Sequence, residues 1–325
     1  MTMAIRIHET GGPDVLRWEE VEVGRPAAGQ VLLRHTAVGL NFIDVYHRTG
    51  LYPLPGLPAV LGLEAAGVIE AIGDGVSGFA IGDRVAYASP PPGAYAEARV
   101  MAADRLVHLP DSIDDQTAAA MMLQGMTAQY LLRQTHPVVA GETILFHAAA
   151  GGVGLIACQW AKYLGATVIG TVGSDDKAEL ARANGCDHPI VYTRESFPER
   201  VREITGGRGV DVVYDSIGKD TFDGSLSCLR PRGLMASFGN ASGPVPLIEP
   251  AILSQKGSLY LTRPTLFHYT ATPAELQATA RDLFDVVSAG HVTIRIGATY
   301  PLSETAAAHR DLEARRTTGS TVLTV

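Results

Sequence analysis

Between about residue 124 and Arg263, short apolar segments alternate regularly with helical patterns. The predicted strands cover residues 143–148, 167–172, 189–192, 210–215 and 234–238, and the predicted helices between them cover residues 155–164, 177–183, 198–205 and 221–229. Strands that alternate with helices pair in parallel, because each helix carries the chain back across one face of the sheet. The pattern therefore predicts a doubly wound parallel sheet and places the chain in the α/β class.

The first 120 residues have a different pattern of apolar and turn-forming residues. Runs rich in β-branched residues cover 31–38, 65–72 and 84–88, and turns rich in Gly and Pro separate them. This spacing is typical of antiparallel strands and indicates a small barrel-like domain. A helical pattern over 273–289 precedes a final strand over 321–325, which we expect to rejoin the first domain. We predict one domain formed by residues 1–124 and 264–325 and another formed by residues 125–263.

The composition argues against several classes of protein. Hydrophobic residues make up 46% of the 325 residues and charged residues 18%, as in ordinary globular proteins. The net charge of -8, without any basic run, argues against a nucleic-acid partner. No segment has signal-peptide character or the apolar length of a membrane span, so we expect a soluble, cytoplasmic protein. Cys158, Cys186 and Cys228 are odd in number and far apart, which favours buried, reduced thiols.

The sequence Ala149-Ala150-Gly151-Gly152-Val153-Gly154 lies between a predicted strand and a predicted helix. This is the context of a dinucleotide-binding fingerprint. Glycines permit a tight turn and the close approach of a pyrophosphate, whose charge meets the free N–H groups and the dipole of the helix. Ala149 stands at the first glycine position of G-x-G-x-x-G, so the match is a variant. A glycine-rich turn without a ligand is the alternative interpretation.

The end of the second predicted strand, Val172-Gly173-Ser174, favours NADPH over NADH. NAD-specific folds carry an acidic residue there, roughly 20 residues after the fingerprint, to bind the ribose hydroxyls. This strand end has no carboxylate, and Lys177 is close enough to face a 2′-phosphate. In the competing interpretation, Asp175 and Asp176 are ordinary first-turn helix acids and Lys177 is a solvated surface residue.

Histidines and cysteines are too widely spaced for a helical His pair or a Cys-x-x-Cys zinc site. Hydride transfer without a metal requires hydroxyls, amides or solvent to polarise the acceptor. Residues 41–46, followed by Tyr52, collect such groups and form the candidate acceptor site. Asn41 could orient the nicotinamide or ribose, and Tyr46 or Tyr52 could hydrogen-bond an oxygen that gains charge. Alternatively, the tyrosines only fill a groove and Asp44 only caps or turns the backbone.

Four segments carry a resemblance to a known family over nearly the whole chain. They are Asn41-Phe42-Ile43-Asp44, Gly62-Leu63-Glu64-Ala65-Ala66-Gly67, Phe146-His147-Ala148-Ala149-Ala150-Gly151-Gly152-Val153-Gly154 and Ser237-Phe238-Gly239-Asn240-Ala241-Ser242-Gly243. Together they resemble the zinc-independent quinone oxidoreductases, the zeta-crystallin-like group of the medium-chain dehydrogenase/reductase superfamily. Zinc alcohol dehydrogenases of that superfamily have histidine where this chain has Leu63 and cysteine where it has Asn41.

The resemblance implies a GroES-like partial β-barrel catalytic domain, completed by the C-terminal part of the chain, and a Rossmann NADPH-binding domain. The Ala149 variant of the fingerprint is normal for that family. The candidate catalytic residues are Asn41, Asp44, Tyr46 and Tyr52. The candidate NADPH-binding residues are Asn41, Phe42, Ile43, Asp44, Tyr46, Thr127, Tyr130, Ala150, Gly151, Gly152, Val153, Gly173, Ser174, Lys177, Tyr192, Ser216, Phe238, Gly239, Asn240, Ala241, Pro264, Thr265, Leu266 and Arg315. Lys177 and Tyr192 would border the 2′-phosphate. Such enzymes form homodimers through sheet edges, which would place Ser258-Leu259-Tyr260-Leu261 at the interface.

The resulting hypothesis is direct hydride transfer from C4 of NADPH to a small-molecule quinone lying in a cleft between the domains. Protonation would come from solvent or a tyrosine. Two alternatives stay open. One is reduction of an activated carbon–carbon double bond in an enone or alkenal, and the other is a zeta-crystallin-like binding role without turnover. The acidic balance disfavours RNA as the bound partner.

Overall fold

The computed structural model describes every residue from Met1 to Val325. The strands are β1 Thr2–Ile7, β2 Arg17–Val21, β3 Gln30–Leu40, β4 Ala59–Val60, β5 Glu64–Ile72, β6 Arg84–Ala88, β7 Ala98–Ala102, β8 Val107–His108, β9 Thr143–Phe146, β10 Thr167–Val172, β11 His188–Val191, β12 Val210–Asp215, β13 Leu229–Ser237, β14 Tyr260–Thr262, β15 Ile296–Pro301 and β16 Ser320–Thr324. The α-helices are α1 Phe42–Thr49, α2 Asp115–Ala119, α3 Met122–Tyr130, α4 Gly152–Tyr163, α5 Asp175–Ala183, α6 Phe197–Ile204, α7 Phe222–Cys228, α8 Ala251–Gln255, α9 Leu266–Tyr269, α10 Pro273–Ser288 and α11 Thr305–Glu313.

The chain divides into two compact units. Unit 1 comprises residues 1–126, 270–288 and 294–325, and unit 2 comprises residues 127–269 and 289–293. Neither unit has a helix that combines the length and the apolar character needed to cross a bilayer. All three cysteines are buried and free, as the sequence predicted.

Unit 1 is built on a largely antiparallel sheet in the strand order β15-β16-β3-β5-β6-β8, with β7 also paired to β3. The C-terminal strand β16 pairs with β3, so that Thr321 lies opposite Leu40. The last strand therefore rejoins the N-terminal part of the chain, as predicted. A smaller sheet has the order β2-β1-β4. The core of this unit includes Ile5, Leu33 and Tyr87, all almost fully buried.

Unit 2 contains six parallel strands in the order β11-β10-β9-β12-β13-β14. The prediction of a doubly wound parallel sheet is confirmed. Strand β12 is buried along its whole length, as expected of a strand that helices cover on both faces. The strand order changes direction between β9 and β12, and ligands of such folds bind beyond the carboxyl ends of the strands at this point. The fold thus directs the search for a cofactor site to the loops that follow these strands.

Sequence periodicity did not predict helix α1, which covers most of the candidate acceptor segment. The helix begins after Asn41, and the Asp44 side chain accepts the backbone N–H of Asn41 at 2.9 Å. It ends at Thr49 and is followed by Gly50, whose φ of 82° suits a residue without Cβ. An eight-residue helix completes only about two turns, so its periodicity is too short to stand out in the sequence. Asp44 does cap the backbone, as one of the two interpretations proposed.

Candidate functional site

The dinucleotide fingerprint lies beyond the carboxyl end of β9. Helix α4 begins at Gly152, and its N-cap residue, Gly151, provides no side chain to accept from the first-turn N–H groups. Such N–H groups have no partner inside an α-helix, so they and the positive end of the helix dipole remain available to a phosphate. A Cβ on Gly154 would lie 2.3 Å from the Ala148 carbonyl oxygen. Only glycine therefore lets α4 start this close to the strand end.

Backbone strain marks the same turn. Ala148 has a φ of 54°, in the left-handed region that residues with a Cβ seldom adopt. Strained residues persist only where the surrounding structure holds them, and they are frequent at binding sites. Together with the uncapped helix start, this geometry fits a pyrophosphate group.

A buried polar network lies beneath the turn and connects the ends of three strands. His147 places Nδ1 2.8 Å from the Thr171 hydroxyl and Nε2 2.9 Å from the Ser225 hydroxyl, and Ser225 donates to Asp215 Oδ2 at 2.7 Å. Because Ser225 gives its only proton to Asp215, it accepts from His147 Nε2–H, and Nδ1 accepts from Thr171. Burial lowers the pKa of His147, which agrees with a neutral imidazole held in one tautomer.

Asp215 is the central acceptor of this network and is fully buried. Its Oδ1 accepts the backbone N–H groups of Ile217 at 2.8 Å and Gly218 at 3.0 Å, and the Thr221 hydroxyl lies 2.7 Å from Oδ2. These bonds fix the loop that contains Ser216. The carbonyl of Ser216 in turn accepts the N–H of Ala241 at 3.1 Å, so the loops after β12 and β13 are held together.

The loops after β10 and β11 form a corner of the same sheet edge. Val172 lies opposite Val191 in the parallel pair, so the residues that follow each strand are neighbours. A Cβ on Gly173 would lie 3.0 Å from the Tyr192 hydroxyl. Ser174 caps α5 by accepting the N–H of Lys177 at 3.4 Å. The structure thus brings Gly173, Ser174, Lys177 and Tyr192 together.

The other candidate cofactor residues of unit 2 also follow its strands or lie on α3. Phe238, Gly239, Asn240 and Ala241 follow β13, and Pro264, Thr265 and Leu266 come shortly after β14. Thr127 and Tyr130 lie on α3, where the Tyr130 ring stacks on Tyr269 at a centroid distance of 4.6 Å. Their contact with a cofactor stays a prediction.

In unit 1, Asn41 lies between two fully buried carboxylates, Asp44 and Glu64. Asn41 Nδ2 donates to Glu64 Oε2 at 2.6 Å, and Gln124 Nε2 donates to Asn41 Oδ1 at 3.1 Å. The backbone N–H of Leu123 donates to the other Glu64 oxygen at 2.8 Å. Both ends of the Asn41 amide are therefore engaged within the protein, and its predicted contact with nicotinamide or ribose would use its remaining donor and acceptor capacity.

A chain of buried hydrogen bonds fixes Asp44. The Tyr95 hydroxyl donates to Asp44 Oδ2 at 2.8 Å and lies 3.1 Å from His309 Nε2, and Arg48 Nη1 donates to His309 Nδ1 at 2.8 Å. Burial lowers the pKa of His309 to about 3, so the ring is neutral and donates through Nε2–H. Asp44 Oδ1 is buried and has no hydrogen-bond partner. Since Oδ2 already accepts two hydrogen bonds, a proton bound by Asp44 is favoured on Oδ1.

Burial also raises the pKa of both carboxyl groups, to about 7 for Asp44 and about 8 for Glu64. For each group, loss of contact with water disfavours the charged form more than the hydrogen bonds favour it. Near neutral pH, this pair therefore retains protons that exposed carboxyl groups would have lost.

We expect the Glu64→Gln variant to change how stability depends on pH. A raised pKa means that the folded state keeps the Glu64 proton longer than the unfolded state. The resulting stabilisation is fully present below the ordinary pKa of 4.5 and is lost as the pH rises towards about 8. Over that range, the free energy of unfolding of the wild type should fall relative to the variant by at most about 1.4 kcal/mol per pH unit. Urea titrations across the range measure this difference.

The control is Glu70→Gln, on the same strand but with an exposed side chain. For this variant, the free energy of unfolding should change with pH nearly in parallel with that of the wild type. Parallel profiles for Glu64→Gln and the wild type would contradict the buried-proton interpretation.

The predicted acceptor segment forms an aromatic cluster. The Tyr46 ring meets the Tyr52 ring edge-on at 5.1 Å and lies 6.1 Å from the Phe42 ring, while Ile43 is half-buried on the same helix. Tyr46 is buried and Tyr52 half-buried. Arg315 belongs to the turn after α11, where its φ is 58°. The structure thus separates an aromatic group, Phe42, Tyr46 and Tyr52, from the polar network of Asn41 and Asp44.

Sequence reasoning missed several residues of both sites. Glu64 was noted only as part of a family motif, although a carboxylate inside an apolar run could have signalled a buried acid. His147 had the same status. Tyr95, His309 and Arg48 come from segments far apart in the chain, and no local pattern connects them. Arg194, which binds Asp175 through two bonds of 2.6 Å, also gave no signal.

No group of three or more His, Cys, Asp or Glu side chains in residues 1–325 is arranged to hold a metal ion. Leu63 and Asn41 stand where zinc alcohol dehydrogenases have ligands, and the Asn41 side chain bonds to Glu64 and Gln124.

Comparisons with known proteins agree with this architecture. The alcohol dehydrogenase GroES-like domain family matches residues 27–111, and the zinc-binding dehydrogenase family matches residues 152–283. A quinone oxidoreductase of Pseudomonas aeruginosa is 56% identical over 323 residues, and a 2-haloacrylate reductase of a Burkholderia species is 52% identical over 332, with 99% of each chain covered in both cases. The crystal structure of Escherichia coli quinone oxidoreductase complexed with NADPH superimposes with a TM-score of 0.98 at 48% identity, covering 99% of this chain and 100% of that one. The chain therefore belongs to the quinone oxidoreductase family of the medium-chain dehydrogenase/reductase superfamily.

Proposed function

We propose that this protein is an NADPH-dependent quinone oxidoreductase that works without zinc. The observation that carries the proposal is the pairing of an uncapped glycine turn at α4 with a strand end, Gly173-Ser174, that carries no carboxylate itself and is followed by Lys177 and neighboured by Tyr192. Such a corner suits a 2′-phosphate, which an acidic residue would repel. The E. coli relative that was crystallised with NADPH supports the same cofactor.

We assign NADPH binding to the candidate residues named from the sequence. Gly152 and Val153 would receive the pyrophosphate, because their N–H groups open the helix. Ala150 and Gly151 would form the turn against it, in which the Gly151 N–H donates to the Ala148 carbonyl at 2.9 Å. The corner of Gly173, Ser174, Lys177 and Tyr192 would receive the 2′-phosphate. The remaining candidates would line the rest of the cofactor: Asn41, Phe42, Ile43, Asp44, Tyr46, Thr127, Tyr130, Ser216, Phe238, Gly239, Asn240, Ala241, Pro264, Thr265, Leu266 and Arg315. NADPH supplies the hydride when it is bound.

In catalysis, the protein's own residues would position the acceptor and would hold or donate a proton. The ring faces of Tyr46 and Tyr52 suit a flat quinone, and either hydroxyl can donate to an oxygen that gains negative charge. Asn41 would position neighbouring groups through its amide. Asp44 would hold a proton near neutral pH, since burial raises its pKa to about 7. We retain residues 1–124 and 264–325 as the catalytic domain and 125–263 as the NADPH-binding domain.

Steady-state oxidation of NADPH with 1,4-benzoquinone tests the proposal. We expect turnover that depends on the quinone and a clear preference for NADPH over NADH. Tyr46→Phe and Tyr52→Phe should lower kcat by roughly tenfold or more if a hydroxyl donates in the transition state. If the quinone caused no oxidation of NADPH, the proposal would be contradicted. Comparable kcat/KM values for NADH and NADPH would contradict the choice of cofactor.

A second candidate is reduction of an activated carbon–carbon double bond. The Burkholderia relative named 2-haloacrylate reductase, at 52% identity, favours it. The same hydride would then reach a β-carbon, and the same proton donors would serve the adjacent carbon. Parallel assays with 2-chloroacrylate and a simple enone distinguish the two activities by kcat/KM. Turnover of any of these substrates would exclude a purely non-catalytic binding role.

We also propose a cytoplasmic homodimer that pairs through β14. This strand forms an edge of the unit 2 sheet, and the Tyr260 side chain on it is 63% exposed. Unpaired edges with apolar side chains invite association. Light scattering coupled to size-exclusion chromatography should give about twice the monomer mass for the wild type, and a Tyr260→Lys variant should shift it towards the monomer because a charged side chain on an edge strand opposes pairing. A monomeric wild type would contradict the dimer.

A further inference from the structure

We infer that Arg194 is a specificity-determining residue for the 2′-phosphate of NADPH. It acts as an ion pair with Asp175, in which the positive charge of the arginine offsets the carboxylate. The inference rests on the proposed function, since it concerns the same cofactor. It adds a residue that lies 17 positions beyond Lys177 in the chain and follows a different strand.

The position of Arg194 follows from the sheet. β10 and β11 are parallel neighbours, and the chain leaves both at the same corner. The Tyr192 N–H donates to the Val172 carbonyl at 3.1 Å, which continues the ladder past β11, and the Thr193 hydroxyl lies 3.4 Å from the Gly173 carbonyl. The backbone that carries Arg194 is therefore attached to the loop that carries Ser174.

The Arg194 side chain returns to the start of α5. Its two terminal nitrogens donate to the two oxygens of Asp175, each at 2.6 Å. This planar pair lowers the pKa of Asp175 and raises that of Arg194. The pairing uses two of the five N–H donors of the guanidinium, so the others can reach a phosphate without release of Asp175.

Charge explains why the pair matters. Asp175 and Asp176 open α5, and without compensation they would repel a 2′-phosphate of nearly two negative charges at this corner. Arg194 neutralises Asp175, and Lys177 adds a second positive charge. Glu195 is directed elsewhere, since it pairs with Arg200 at 3.1 Å and accepts the Val191 N–H. Arg194 and Lys177 together therefore balance the two carboxylates, and loss of Arg194 would leave a net negative charge facing the 2′-phosphate.

The accessibility of the pair fits a binding role. Arg194 and Asp175 side chains are 56% and 69% exposed. An ion pair this exposed contributes little to stability, so Arg194→Gln should leave the fold intact. Arg is also better suited than Lys to hold a carboxylate and a phosphate at once, because its donors lie in a fixed plane.

Three variants test the inference by fluorescence titration of NADPH and of NADH. For Arg194→Gln we expect the NADPH dissociation constant to rise by about tenfold, with the NADH constant changing by less than about twofold. Asp175→Asn should tighten NADPH binding by a few-fold, because Arg194 then faces the phosphate alone. The double variant should bind NADPH more tightly than Arg194→Gln.

The matched control is Arg34→Gln, which removes the same charge from an exposed arginine of β3 that is also paired with a carboxylate, Glu70. It should leave both dissociation constants within about twofold of the wild type. Competition with 2′,5′-ADP and 5′-ADP shows which part of the cofactor is affected. In Arg194→Gln, the affinity for 2′,5′-ADP should fall and the affinity for 5′-ADP should stay the same.

Two failures are distinguishable. If the wild type binds neither dinucleotide or prefers NADH, the proposed function fails and the inference fails with it. If the wild type prefers NADPH but Arg194→Gln changes NADPH and NADH binding equally, or no more than Arg34→Gln does, the proposed function stands and Arg194 has no part in specificity. An unchanged affinity for 2′,5′-ADP would overturn the inference in the same way.

Discussion

Replacing Gly154 with alanine is expected to weaken NADPH binding by on the order of a hundredfold. The added Cβ would lie 2.3 Å from the Ala148 carbonyl oxygen and 2.8 Å from two Ala149 backbone atoms, so α4 must move away from the end of β9. That shift displaces the N–H groups at Gly152 and Val153 from the position of the pyrophosphate. Overpacking of this kind also costs about 1–3 kcal/mol of stability. Calorimetric titration with NADPH measures the first effect, and urea unfolding measures the second.

The matched change is Gly12→Ala. Gly12 has a φ of -71°, and a Cβ there would meet no atom within 4 Å. Alanine at this position should leave NADPH affinity unaltered. An NADPH dissociation constant for Gly154→Ala within about threefold of the wild type would show that the turn does not position the pyrophosphate as proposed.

Changing Asp215 to asparagine is expected to lower the free energy of unfolding of unit 2 by about 1–3 kcal/mol. The carboxylate is fully buried and accepts hydrogen bonds from two backbone N–H groups and the hydroxyls of Thr221 and Ser225. An amide replaces one acceptor with a donor, so at least one of these buried donors loses its partner. Ser225 can then no longer fix the His147 tautomer, and NADPH binding should weaken because the loop with Ser216 is released.

Trp160 offers a direct readout, because it is buried in unit 2 and the only other tryptophan, Trp18, lies in unit 1. Its fluorescence should follow the unfolding of unit 2 in urea. Asp223→Asn is the control, since Asp223 is 77% exposed and pairs only with Lys256 at 3.1 Å among the ion pairs of α7. That variant should unfold within about 0.5 kcal/mol of the wild type. A similarly small effect for Asp215→Asn would mean that the network contributes little.

Much of the fold could be predicted because its signals are local. The strand positions in unit 2 depend on apolar runs bounded by turns, and the predicted strand over 210–215 coincides with β12. Strand β9 ends at Phe146, two residues before the predicted end, because the chain must bend at Ala148 to begin the turn. The edge strand β14 begins at Tyr260, two residues later than the predicted segment. Helix α1 was not predicted because its eight residues complete only about two turns, too few for a helical period to stand out.

The sequence by itself determined the class of cofactor site. A strand, a glycine turn and a helix are contiguous in the chain, and the physical needs of a pyrophosphate are met by that one segment. The absence of a carboxylate at Gly173-Ser174, the basis for preferring NADPH, is likewise visible in adjacent residues.

Only the tertiary structure decided which side chains surround those segments. Asp44 owes its raised pKa to burial and its fixed position to Tyr95, which His309 and Arg48 hold in turn. Asp175 is compensated by Arg194, which lies 19 positions away. Burial and hydrogen bonds between distant segments arise only when strands pair and pack, so no window of sequence contains them. The turn can be read from its own residues, whereas the charge and protonation of the groups around it depend on the fold.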